Sequence, residues 1–194
     1  MRDHAKELLA KGALALSPEK AREAGLFDFA AAAHAPVSAL YPLVPADCLD
    51  ALDEHFDRAI AAEATAPDPR EAMRDRLFDV AMRRFEAMEP HRAVLLALEE
   101  AFGRDPVAQA ARLARTVRSA RWMLALAGAS GEGLTAAARV NGFALLLARV
   151  RDAWRHDSGG DFVKTMAALD KGLREGEDWE ARLGLARPPA PAAE

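Results

Sequence analysis

Two stretches decide how this chain reads: Phe29-Ala-Ala-Ala-Ala-His-Ala-Pro-Val-Ser-Ala-Leu-Tyr41, and Pro45-Ala-Asp-Cys-Leu-Asp-Ala-Leu52. The alanine run predicts a helix that ends before Ala35-Pro36, because proline disfavours helical geometry in the residue preceding it. A very short helix is expected at about Val37 to Tyr41. Pro42 and Pro45 then close that segment, and a longer helix from Ala46 to Glu63 carries Leu49, Leu52, Phe56 and Ile60 at core spacing. Short helix, tight turn, second short helix and long connecting helix have helix-turn-helix proportions.

Composition extends the helical reading to the whole chain. The 194 residues include 46 alanines but only 14 β-branched residues, the reverse of what strands favour. Hydrophobic residues make up 51%, enough to bury a core in spite of the 29% charged fraction. Upstream, a helix from Arg2 to Lys11 should stop at Gly12, and Ser17-Pro18 should cap and open the next. Downstream, Met73, Leu77, Val80, Phe85 and Met88 mark one periodic helix, and His91 to Phe102 forms another. A third, Val107 to Ala127, should bury Leu113, Val117 and Leu124. Leu134 to Trp154 is apolar nearly all round between Phe143 and Leu147, which suggests cover on two sides. Ser158-Gly-Gly-Asp161 should open the last packed helix, with Asp157, Ser158 and Asp161 at its positive end. The expectation is an all-α fold of about nine helices.

Several chemistries lack their residues. One cysteine, Cys48, allows no intrachain disulfide and points to a reducing compartment. The five histidines are never three or four apart, and no H-E-x-x-H, G-x-S-x-G, P-loop or G-x-G-x-x-G is present. No enzyme, cofactor or metal is expected. The longest apolar stretch, Phe143 to Val150, is interrupted by Arg149 and is far below the ~18 residues of a membrane span, so the expected location is cytoplasmic.

The two opening stretches resemble the helix-turn-helix of TetR-type regulators. That resemblance makes Val37, Ser38, Tyr41 and Asp47 the vestiges of a DNA-recognition segment. The sequence departs from the family where DNA chemistry would sit: Pro42, Leu43 and Val44 replace basic or aromatic residues, and Asp47 stands in place of a phosphate-binding lysine. Residues 1 to 66 hold 6 Lys/Arg and 11 Asp/Glu, net -5, whereas residues 105 to 156 hold 8 Arg and 3 acids, net +5. Affinity for DNA needs local positive charge, so weak or no specific DNA binding is expected.

A second resemblance rests on Arg74-Asp-Arg-Leu-Phe78, Arg83 to His91, Trp122 with Ala127-Gly128, and Asp157-Ser-Gly-Gly-Asp161-Phe162 with Thr165 and Leu169. Together these are similar to the C-terminal domain of the coenzyme Q (ubiquinone) biosynthesis accessory family. The family is TetR-like in fold. The resemblance implies a homodimer that binds an isoprenoid or quinone-like lipid, touches membranes transiently at the inner surface, and serves a quinone hydroxylase. It divides the chain into a degenerate helix-turn-helix domain (1–52), a ligand-binding and dimerisation bundle (53–177) and a partly disordered tail (178–194). Pocket candidates on the enclosing helices are Met82, Phe85, Phe102, Trp122, Leu126, Phe143 and Leu147, with core packing the alternative for each. Dimer-interface candidates are Phe143, Phe162, Met166 and Leu169. Arg112, Arg115, Arg118 and Arg121 should form a slowly winding basic stripe, and Trp179, Leu183 and Leu185 a short amphipathic turn for lipid contact. The competing function is a TetR-type transcriptional regulator that responds to a small hydrophobic ligand.

Overall fold

The computed structural model describes residues 2–103, 106–129, 131–157 and 159–182. Among these residues there are nine α-helices and no strand: α1 (Arg2–Leu14), α2 (Pro18–Ala21), α3 (Leu26–Ala32), α4 (Cys48–Ala62), α5 (Met73–Met88), α6 (Arg92–Phe102), α7 (Pro106–Leu126), α8 (Gly133–Arg155) and α9 (Val163–Arg182). Single 3-10 turns lie at Val37–Leu40, Pro45–Asp47 and Glu89–His91. The all-helical expectation holds, for the reason composition suggested: abundant alanine and few β-branched side chains.

The chain divides into two compact units, one formed by Met1–Ala59 with Ala87–Arg115, the other by Ile60–Glu86 with Thr116–Glu194. In the first unit α1 packs on α3, and α2 packs on α6. Gly12 does not stop α1, as its sequence position suggested. It sits buried inside the helix, where a Cβ would overlap the carbonyl of Phe29, so the glycine serves close packing of α1 on α3. Ser17 Oγ accepts from the Lys20 N–H at 3.4 Å, with Pro18 at the first helical position. α3 ends at Ala32, two residues earlier than expected. Its end is closed by Ala35 N–H donating to Ala30 O (2.9 Å) and His34 N–H to Ala31 O (3.1 Å), with His34 at φ 56°, a left-handed closure more often given to glycine.

Leu49, Leu52, Phe56 and Ile60 are buried along α4 as their spacing required. Lys6 on α1 reaches both Asp50 and Glu54 on α4 at 2.5 Å. Arg115, 8% exposed, pairs with Asp53 at 3.1 Å. That pair corrects two expectations about α7. The arginine stripe is interrupted, since Arg115 turns inward, and Leu113, two residues and about 200° away on the helix, is consequently 57% exposed. Val117 is half-buried, and Leu124 is buried as expected.

In the second unit α8 packs on α9 with Gly172 against Leu146, whose methyl would overlap a Cβ there. Trp154 is fully buried, its ring 6.2 Å from that of Phe85. Leu77, Met82 and Phe85 are buried, whereas Met73 and Val80 are half-buried, a narrower inward face than the periodicity implied. α9 begins at Val163. Asp157 caps it, accepting from both the N–H and the hydroxyl of Thr165, while Asp161 is exposed and Ser158 lies outside the described residues. The helix continues past Glu177 to Arg182, so Trp179 lies on regular α-helix; Leu183 and Leu185 lie outside the described residues. No described helix is long and apolar enough to cross a membrane.

Candidate functional site

The seven pocket candidates differ in burial. Met82, Phe85, Phe143 and Leu147 are core residues of the second unit, each 6% exposed or less. Phe102 belongs to the first unit, half-buried with its ring 6.5 Å from Phe29. Trp122 is 43% exposed. Leu126, half-buried at the end of α7, is the one of the seven that lines a cavity described below.

Of the DNA-recognition candidates, Val37 and Ser38 sit on a single 3-10 turn, and Tyr41, 76% exposed, follows it with a cis peptide bond to Pro42. Asp47 has a local structural role: its carboxylate accepts the Val44 N–H at 2.8 Å at the entry to α4. Among the dimer candidates, Phe143 and Leu169 are buried within their own unit, Phe162 is half-buried at φ 55°, and Met166 is 37% exposed. The same helices expose side chains that sequence reading passed over, Leu134, Leu145 and Val163, beside Trp179, which it had singled out. Leu145 was legible in principle. It lies two residues from both Phe143 and Leu147, so a helix that buries those two must turn it outward.

Two clefts carry ionisable groups. The first, about 270 Å³, lies between α1 and α4 and is lined by Lys6, Glu7, Glu54, His55 and Arg58. Lys6 is already committed to Asp50 and Glu54; burial opposes its charge, but those two hydrogen bonds outweigh it and hold its pKa above 10.5. His55, against the ring of Phe56 at 5.3 Å, is held below 6.5 by desolvation and then by His91 and Arg58, with Glu7 opposing. The second cleft, about 180 Å³, lies within the second unit, between the end of α4, α5 and the end of α7. Its charged lining is Asp68, Glu71, Asp79, Arg76 and Arg83. Arg76 Nε is sealed from solvent and, among the described residues, has no hydrogen-bond partner.

Cys48 is buried and desolvation pushes its thiol up to about 12, so it is neutral at physiological pH and not a reactive nucleophile. Among the described residues no group of three or more His, Cys, Asp or Glu side chains is placed to hold a metal ion. Comparison with protein-family models, curated proteins and solved structures finds no match to this chain.

Proposed function

We propose that the protein is a non-enzymatic, TetR-like helical protein that binds an apolar ligand of the isoprenoid or quinone type, acting as a homodimer that visits membrane surfaces. The observation that carries the reading is the number of large apolar side chains that the second unit exposes: Leu134 at 91%, Leu145 at 62%, Val163 at 57% and Trp179 at 62% on α8 and α9, with Trp122 on α7. Isolated exposed apolar residues are ordinary, but this many large ones on the two final helices favour a surface that meets another apolar surface.

The N-terminal region supports ligand presentation over gene regulation. A recognition element must lie along a major groove and meet phosphates with positive charge. Here the corresponding segment is one 3-10 turn of four residues, and residues 1 to 66 carry net -5. In the proposed mechanism the protein desolvates the ligand's tail, at ~0.8 kcal/mol per buried CH₂, and presents the head group to a quinone hydroxylase. Trp179, with Arg182 one turn on, would make the transient lipid contact.

Native mass spectrometry of the protein isolated from its own host tests the ligand. A co-purifying prenylated lipid in a dimeric species is the expected result. Ligand-free protein that also fails to take up a prenylquinone from vesicles overturns the reading, as does a specific nanomolar mobility shift with its own upstream DNA.

A further inference from the structure

α8 turns one narrow face away from the rest of its unit. Leu134, Ala138, Asn141, Leu145 and Ala148 are all exposed. Their spacing alternates four and three residues, so they stay within ~80° of one another along about 21 Å of helix. The opposite side of the helix carries buried residues, among them Phe143, Leu147 and Trp154. Scattered exposed leucines need no partner, but two leucines and two alanines at four-three spacing around one amide have the pattern of a seam between two helices.

The helix face that fits this one is the face itself. About a two-fold axis at Asn141, a second α8 running antiparallel sets Leu134 level with Ala148 and Ala138 level with Leu145, once on each side of the axis. Each leucine then fills the space that the opposite alanine leaves. Asn141 meets the same residue of the copy on the axis. Its Nδ2 donates to Ala137 O at 2.9 Å, which leaves the amide a second N–H and Oδ1 for the copy, and one polar residue in an apolar seam fixes its register.

Charge agrees with the same register. Glu132, exposed just before the first turn, comes level with the copy's Arg149 to within one residue. Arg149 donates to Glu175 at 3.4 Å while its side chain stays mostly exposed, so further donors face solvent. A parallel pair would instead oppose alanine to alanine at 138 and 148, and would set Glu132, Arg149 and Asp152 each beside its own like charge.

We infer that a second copy of this chain docks antiparallel on the outer face of α8, with the two-fold axis at Asn141. The inference rests on the homodimer proposed above and assigns its seam to α8, where sequence reading had also placed Phe162, Met166 and Leu169 from the α9 side.

Cysteine cross-linking of the full chain in a Cys48→Ala background, with light scattering at micromolar concentration, tests it. Asn141→Cys should form an intermolecular disulfide on mild oxidation, because its two copies meet on the axis. Ala138→Cys alone should not, since its two copies lie about 9 Å apart along the helices. Mixed with Leu145→Cys, it should give at least about tenfold more cross-linked dimer than either variant alone. Val163→Cys, exposed on α9, should stay uncross-linked. All these positions are exposed, so the variants should keep the helical circular dichroism spectrum, and the mixed pair serves if Asn141→Cys does not associate. A dimeric wild type in which neither Asn141→Cys nor the mixed pair cross-links overturns this interface and leaves the homodimer standing, with Val163→Cys then testing α9. Cross-linking of Ala138→Cys by itself overturns the antiparallel register. A monomeric wild type overturns the inference and the homodimer together.

Discussion

Asp157 and Thr165 are joined by two hydrogen bonds to one carboxylate oxygen, Asp157 Oδ2, from the backbone N–H and the hydroxyl of Thr165, both at 2.8 Å. Both residues are buried, and the pair ties the end of α8 to the third residue of α9. Burial alone would raise the carboxyl pKa, but the bonds from Thr165 and the proximity of Lys164 outweigh it and hold the group below 3.8.

Asp157→Ala should therefore lower stability by about 1–2 kcal/mol, the usual cost of losing such a cap, with Asp157→Asn milder because it keeps an acceptor. The ionised form is favoured in the folded state, so the contribution is complete above 3.8 and is lost as pH falls through the lower folded value. Urea denaturation of wild type and Asp157→Asn from neutral to acid pH checks this. A stability gap that persists unchanged into strong acid contradicts it.

The close approach at Gly12 makes Gly12→Ala destabilising, although alanine is the better helix former in isolation. Its Cβ would overlap the Phe29 carbonyl, and relieving that overlap means moving backbone, at a cost of about 1–3 kcal/mol. Gly172→Ala meets Leu146, a side chain that can give, and should cost less. Thermal melts of the two variants should rank in that order; a Gly12→Ala protein more stable than wild type would show that α1 does not press on α3.

Lys6→Met leaves Asp50 and Glu54 without their shared cation, and a part-buried pair of this kind is worth about 1–2 kcal/mol. Because the folded pKa of Lys6 is raised, its contribution is whole below 10.5 and declines as pH rises through the folded value. The wild-type advantage over Lys6→Met should be constant across neutral pH and shrink in strong alkali. Equal chemical-denaturation midpoints for the two proteins at neutral pH would refute the assignment.

Leu145→Arg separates association from folding. The side chain is 62% exposed, so the charge should leave the monomer core intact, whereas the proposed dimer would have to bury an unpaired guanidinium. Light scattering should report a dimer for wild type and a monomer for the variant, with unchanged circular dichroism. Wild-type monomer at micromolar concentration rules out the proposed association.

Helical class and the burial of α4's Leu49, Leu52, Phe56 and Ile60 were determined by the sequence itself, because alanine content and 3.6-residue spacing act locally along the chain. The same holds for Ser17 as a cap, set by a few adjacent residues. What only tertiary structure decided depends on partners far along the chain. Gly12 reads as a helix stop until Phe29 lies against it. Arg115 reads as one of four surface arginines until Asp53, 62 residues away, draws it inward and turns Leu113 out. Arg76 comes to lie beside Pro67 and Gly128 at the end of α7, where its Nε has no acceptor among the described residues. Periodicity fixes which residues share a helix face, but the neighbour that covers the face, and so decides which polar atom is left unsatisfied, is set by chain crossings that no local pattern encodes.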